Sequence, residues 1–306
     1  MRLPKCGAAT SESGSCDGGA GLRMKGTDMG STSTNGNANG QLERSGTAPW
    51  ERDGECESSA RDAQPAKGSK KPKGGEGGGN GSPSDRSKVW MLLDRSGSMS
   101  GLEAAVVKGA NRFIAEQAAE PGTCRLTLAQ FDSDAPFELL VDDVSVRKVD
   151  PHALEKYEPR GLTPLFDAVG RLIGCADRRV KQRRKAGKKP EDQTVVIVTD
   201  GYENASTDYT AAGIHKLIAE RREQGWAFVF MGANQDSYAE SARLGVDQRN
   251  VQNYEASDEG VGEAFASVSR AYSERRAMSS TVGISAEGDF FGGVREAEEG
   301  MRRRSS

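Results

Sequence analysis

The chain is 306 residues long, with 42 Lys and Arg against 45 Asp and Glu, a formal net charge of -3. A balance this close to neutral excludes a strong field toward nucleic acid or a membrane surface. No run approaches the roughly 20 apolar residues that a spanning helix needs, and the amino-terminal residues lack the apolar centre of a signal peptide.

The first 86 residues contain no Val, Ile, Phe or Tyr and are rich in Gly, Ser, Asn and Lys. Such a stretch cannot bury enough apolar surface to offset its ordering entropy, so 1–86 is expected to be disordered. Val89-Trp90-Met91-Leu92-Leu93 then reads as a strand buried on both faces. It runs directly into Asp94-Arg95-Ser96-Gly97-Ser98-Met99, a carboxylate and two hydroxyls at alternate positions with a glycine to turn the chain. Leu102, Val106, Ala110, Phe113 and Ile114 recur at helical spacing over 102–119. Arg125 to Phe131 alternates as a half-buried strand does. After the turn residues Asp132-Ser133-Asp134-Ala135, Phe137 to Val141 returns as a hairpin at the sheet edge. Residues 142–162 are poorly patterned.

Gly161-Leu162-Thr163-Pro164-Leu165 opens a helix with Leu165, Val169, Leu172 and Ile173 on one face, running out into basic residues between Arg178 and Lys189. Thr194 to Thr199 is a β-branched buried strand ending in Asp200-Gly201. A helix with Ile214, Leu217 and Ile218 closes at Gly225. Trp226 to Met231 is a third buried strand, and a short helix closes at Gly245. Val251 to Tyr254 reads as a last edge strand, and Val261, Phe265, Val268 and Tyr272 mark a final helix. Residues 276–306 are Gly-rich and charged, a flexible tail, leaving one domain over 87–275. Strands alternating with helices imply a doubly wound α/β sheet. Five cysteines without metal-ligand spacing suggest reduced cytoplasmic thiols, the alternative being a Cys124–Cys175 bridge in an oxidising compartment.

Asp94, Ser96, Ser98, Thr163 and Asp200 together resemble the metal-ion-dependent adhesion site of von Willebrand factor A-type domains, with all five positions in the family's order. The resemblance runs from Ser87 to Ser273. Gln130-Phe131-Asp132, Thr199-Asp200-Gly201 and Phe230-Met231-Gly232-Ala233-Asn234 look like small bacterial and phage members. It implies a mostly parallel six-stranded sheet in the order 3-2-1-4-5-6 with one antiparallel edge strand and helices on both faces. It also implies a magnesium or manganese ion held directly by the serines and the threonine, and largely through water by the aspartates. One coordination position is then left for an acidic side chain of a partner protein.

Each residue also has a plainer reading. Ser96 and Ser98 suit turns and helix caps, Thr163-Pro164 suits a helix start, and Asp200-Gly201 suits a strand-to-loop turn. Their co-occurrence at the carboxyl ends of strands, where open α/β sheets bind ligands, favours the metal site. Arg95, Asp132, Asp134, Glu203, Asn204 and Asp236 are expected on its rim. Solvation is the default for the acids, and steadying a ligand or selecting a partner is the alternative. Arg95 adds attraction for an incoming acid. Gly97-Ser98-Met99-Ser100-Gly101 has Met where a nucleophile elbow needs Ser, and neither His152 nor His215 is placed to serve as a base. The expectation is a cytoplasmic, non-enzymatic module that binds an Asp or Glu of a protein partner. A metal-dependent hydrolase using Glu203 is the runner-up. Third is a nucleic-acid module gripping through 178–189, although no aromatic residue is interleaved there to stack on bases.

Overall fold

The computed structural model describes residues 86–233, 237–279 and 289–292. Six strands, β1 (Arg86–Asp94), β2 (Thr123–Phe131), β3 (Glu138–Ser145), β4 (Asp192–Thr199), β5 (Ala227–Ala233) and β6 (Val251–Tyr254), form one sheet in the order β3-β2-β1-β4-β5-β6. Every neighbouring pair is parallel except the β2–β3 hairpin. The helices are α1 (Glu103–Ala119), α2 (Leu165–Lys185), α3 (Ala211–Glu223), α4 (Ser237–Leu244) and α5 (Asp258–Ser279). This is the doubly wound sheet with one antiparallel edge that the sequence predicts.

The pleat explains why β1 is apolar throughout. Val89, Met91 and Leu93 enter a core shared with Val106 and Phe113 of α1 and Phe265 and Tyr272 of α5. Trp90 and Leu92 enter the other core, with Leu172 of α2, Ile218 of α3 and Phe228 of β5. Burying each such side chain contributes about 1.5–3 kcal/mol, so neither face of the strand can turn polar cheaply. The α1–α5 contact is close enough to exclude a side chain at Gly109, where a Cβ would lie 2.3 Å from the Phe265 ring.

Three features depart from expectation. β2 is not half-buried: Thr127 and Gln130 are at most 1% exposed. Its alternate polar residues serve buried hydrogen bonds, Thr127 Oγ1 accepting from Lys88 Nζ at 2.7 Å and from Asp143 N at 3.1 Å. Packing also continues past 275. Arg276 is buried and donates to the Gln117 and Pro121 carbonyls at the end of α1, a charge that reads as tail but satisfies orphan helix carbonyls. Phe290 and Phe291 join the α1–α5 core, and Phe290 N donates to Asn250 Oδ1 at 3.0 Å. Finally, Cys124 is a free thiol in one core while Cys175 lies in the other, so the Cys124–Cys175 bridge is not formed. Of the segment expected to be disordered, Arg86 opens β1 and the remainder lies outside the described residues. No described helix is long and apolar enough to cross a membrane.

Candidate functional site

β1 and β4 lie side by side and parallel, and their carboxyl ends are the switch point where chain order reverses across the sheet. Asp94 ends β1 fully buried. Its Oδ1 accepts from Ser96 N at 2.7 Å and its Oδ2 from the Thr199 hydroxyl at 2.6 Å. Ser96 Oγ lies 3.1 Å from Ser98 Oγ, and Ser98 donates to Asp200 Oδ1 at 2.6 Å. Gly97 N donates to Gly161 O at 3.1 Å, tying this loop to the one that carries Thr163. Thr163 is clamped by Asn204: Thr163 N donates to Asn204 Oδ1 at 2.8 Å, and Asn204 N donates to Thr163 O at 3.1 Å. A Cβ placed on Gly201 would lie 3.1 Å from Ser98 Oγ, 3.1 Å from Thr163 Oγ1 and 3.7 Å from Asp94 Oδ2. All five sequence-predicted residues are thus brought together, and a side chain at 201 would crowd their oxygens.

Ser96 and Ser98 do lie in a turn, but neither Ser96 nor Thr163 caps a helix through its hydroxyl. Ser96 precedes a single 3-10 turn, Gly97–Met99, without capping it through its side chain. α2 starts at Leu165 with Pro164 at the cap position, so the Thr163 hydroxyl does not cap it. The first-turn amides of α2 are met from elsewhere, Phe166 N by Glu203 Oε2 at 2.8 Å and Asp167 N by Ser206 Oγ at 3.0 Å. The hydroxyls are spared for something else. Burial pushes the Asp94 carboxyl up to about 6, against the pull of hydrogen bonds from Thr199 and Ser96, with the Asp200 charge adding to the rise. Burial raises Asp200 too, against its bond from Ser98. Among the described residues no cation figures in the causes of either shift. Two carboxylates and three hydroxyls, with neither sulfur nor imidazole, are the donor chemistry of a hard divalent cation. Among the described residues no three His, Cys, Asp or Glu side chains gather as an alternative metal site.

The rim residues sort differently from expectation. Arg95 does not face an incoming acid. It is buried, donates to Asp132 Oδ2 at 2.7 Å and lies 3.0 Å from Glu138, bracing the hairpin turn beneath the site. Asp132 is not solvated but fully buried, accepting from Asp134 N, Ala135 N and Arg160 as well. Asp134, 66% exposed, is the solvated acid that the default describes. Glu203 accepts from Phe166 N, Ala205 N, Ser206 N and the Ser206 hydroxyl. Asp236 lies outside the described residues. His152 is exposed beside Glu155, and His215 packs under Gly245. Leu162 and Tyr202, next to Thr163 and Gly201 in sequence, are 55% and 51% exposed.

Four supporting residues had not been singled out from sequence. Thr199 holds Asp94 by its hydroxyl. Tyr157 donates to the Asp94 carbonyl, and Tyr254 donates to the Thr199 carbonyl at 3.1 Å. Asp167 accepts from the amides of Thr207, Asp208 and Tyr209, fixing the loop after Asn204. Only Thr199 carries a local signal, as the polar end of an apolar strand beside Asp200.

An oxygen-lined cleft at the switch point of a doubly wound sheet defines a class of α/β ligand-binding domain. Within that class, the von Willebrand factor type A domain matches residues 89–267, more than half of the chain, and the chain belongs to this family. No curated protein sequence matches it. Among solved structures it is similar to proximal thread matrix protein 1 of the mussel byssus, at 14% identity and TM-score 0.44 over 61% of this chain and 46% of that one. It is also similar to the pilus adhesin SpaC of Lactobacillus rhamnosus GG, at 9% identity and TM-score 0.49 over 64% and 31%. A third is the manganese-loaded TRAP protein of Plasmodium vivax, at 15% and 0.41 over 60% and 71%. The chain therefore spans less than half the length of the first two.

Proposed function

We propose that this domain binds a partner protein through a divalent cation, magnesium or manganese, held by Asp94, Ser96, Ser98, Thr163 and Asp200. The observation that carries the reading is the convergence of Ser98, Thr163 and Asp94 oxygens on the open face of Gly201, beside Asp200, with no hydroxyl spent on capping. When bound, such an ion supplies a Lewis-acid position that one carboxylate oxygen of a partner Asp or Glu would fill. The chain's own residues do the rest. Thr199, Ser96 N and Asn204 fix the oxygens before any ligand arrives. Leu162 and Tyr202 offer apolar surface beside them, as contact centres of protein interfaces do.

The catalytic alternative is disfavoured because Glu203, its one candidate base, already accepts four hydrogen bonds from the α2 start and the following turn. The nucleic-acid alternative is weakened because Arg179 and Arg183 of the basic run turn inward to Glu191.

The test is capture of partners from a lysate by the full chain with EDTA and with restored magnesium, followed by Thr163→Ala. Capture should vanish in EDTA and return with the ion. Thr163→Ala should weaken capture at least tenfold while leaving the melting temperature of the metal-free protein within a few degrees, since the hydroxyl caps nothing. Undiminished capture in EDTA would sink the proposal.

A further inference from the structure

At the opposite end of the sheet, the first residues of β1, β2 and β4 meet the last turns of α2. Arg86, Thr123, Arg125, Arg179, Arg183 and Glu191 there line a cavity of about 200 Å3. Four arginines thus converge from β1, β2 and one face of α2, where Arg179 and Arg183 are a turn apart. Lys88 lies fully buried behind them.

Four of these five cations, Arg86 being the exception, share two carboxylates. Asp143 takes Lys88 at 3.0 Å, Arg125 at 2.7 Å and Arg179. Glu191, its side chain 2% exposed, takes Arg179 at 2.9 Å and Arg183 at 3.0 Å, so its charge is met by two guanidinium groups. The exposed Asp142 adds a weaker pull on Arg125. Each guanidinium carries five N–H donors, and the two carboxylates, with the Lys189 and Asp143 carbonyls and the Thr127 hydroxyl, do not meet all the donors of four guanidinium groups and an ammonium. Arg179 Nε and Glu191 Oε2 are the visible remainder, both buried without a hydrogen-bond partner among the described residues. The cavity has room for several waters, enough for a tetrahedral oxyanion that keeps part of its hydration. Planar guanidinium forks match the oxygen spacing of phosphate.

We propose that this cavity binds a phosphate dianion, either inorganic phosphate or the terminal group of a phosphomonoester. The site is independent of the cleft at Asp94 and uses the inward face of the α2 basic run, whose outward residues Lys181, Arg184, Lys185, Lys188 and Lys189 are exposed.

The test is calorimetric titration of the full chain with inorganic phosphate at constant ionic strength. Holding ionic strength matters, because phosphate also stabilises folded proteins by exclusion from their surface, an effect that does not saturate. Saturable binding at one site is expected. Arg86→Gln removes an exposed guanidinium and leaves the ion pairs of Asp143 and Glu191 in place, so the fold is retained. Affinity should fall roughly tenfold, the ordinary worth of one charged hydrogen bond, and Arg183→Gln should lower it at least as much. Phenyl phosphate distinguishes the two sources: binding with similar affinity indicates a monoester end, and exclusion indicates the free anion. The proposal is overturned by heats that do not saturate or by unchanged affinity in both variants. Binding of a thymidine oligonucleotide that phosphate cannot displace also overturns it, since that points to a diester backbone.

Discussion

Asp94→Asn separates the electrostatics of the cleft from its packing. Asp94 is fully buried and titrates near 6 rather than 3.8, a difference worth about 3 kcal/mol of native-state destabilisation once the carboxyl is ionised. The amide keeps the shape. Its Oδ1 can still accept from Ser96 N, and the Thr199 hydroxyl can turn from Asp94 to the Gly201 carbonyl, 3.2 Å away. The metal-free variant should therefore melt higher than the parent at pH 7.5, by up to roughly 6–12 °C for a domain of this size. The pH dependence has a definite sign. Between about pH 4 and 6 the native parent binds more protons than its unfolded chain, so its stability falls as pH rises through that window. The variant lacks this slope, and the two curves converge below about pH 4. Magnesium at a hundredfold excess over its Kd should add about 2.7 kcal/mol to the parent above pH 6. The gain should shrink as protons compete below that pH, and it should be absent in the variant. Differential scanning calorimetry with and without EDTA reads all of this. A variant that keeps the magnesium-dependent rise refutes the site, and a metal-free variant less stable than the parent by 2 kcal/mol or more refutes the electrostatic reasoning.

Asp143→Asn should cost about 2–3 kcal/mol in urea unfolding, below the 3–5 typical of a fully buried pair because the carboxylate is 22% exposed. Asparagine tolerates the left-handed φ of 50° at that position, so a loss under 0.5 kcal/mol would mean that Lys88, Arg125 and Arg179 do not depend on the shared charge. Gly109→Ala should destabilise by about 1–3 kcal/mol in thermal melts, because the displaced Phe265 ring outweighs the gain in helix propensity; a stabilised variant contradicts the close α1–α5 approach. Glu203→Gln should lower stability by about 1 kcal/mol while leaving magnesium affinity unchanged by calorimetry. Ester or phosphate turnover that disappears with Glu203 would instead revive the hydrolase.

The cleft was legible because two of its three loops begin where an apolar strand turns abruptly to oxygen side chains, at Leu93-Asp94 and at Val198-Thr199-Asp200, while Thr163 was marked only by the helix start that follows it. The sheet followed from the same runs, since a strand buried on both faces needs helices on both faces. Alternation misled at β2, where Thr127 is polar for the sake of buried Lys88 rather than of water. Acids misled more often. Asp132 and Glu203 look solvated in the sequence, yet the amides that occupy Glu203 include Phe166 N, 37 positions away. Nothing local announces such a pairing. Arg276 and the Phe290-Phe291 pair were hidden likewise, because a charged or Gly-rich neighbourhood does not record which helix end or core lies opposite.

The tyrosine hydroxyls on the Asp94 and Thr199 carbonyls bear on the timing of recognition. Strand ends ordinarily fray, and a loop leaving a frayed end must be ordered by whatever it binds. Here the last carbonyls of β1 and β4 are latched from outside the ladder, so both loops depart from fixed points and their ordering is completed during folding. Under the proposed function, an arriving carboxylate would meet a surface that does not have to be assembled around it. Encounter should then set the association rate, and differences in affinity among partners should fall almost entirely in how long each one stays.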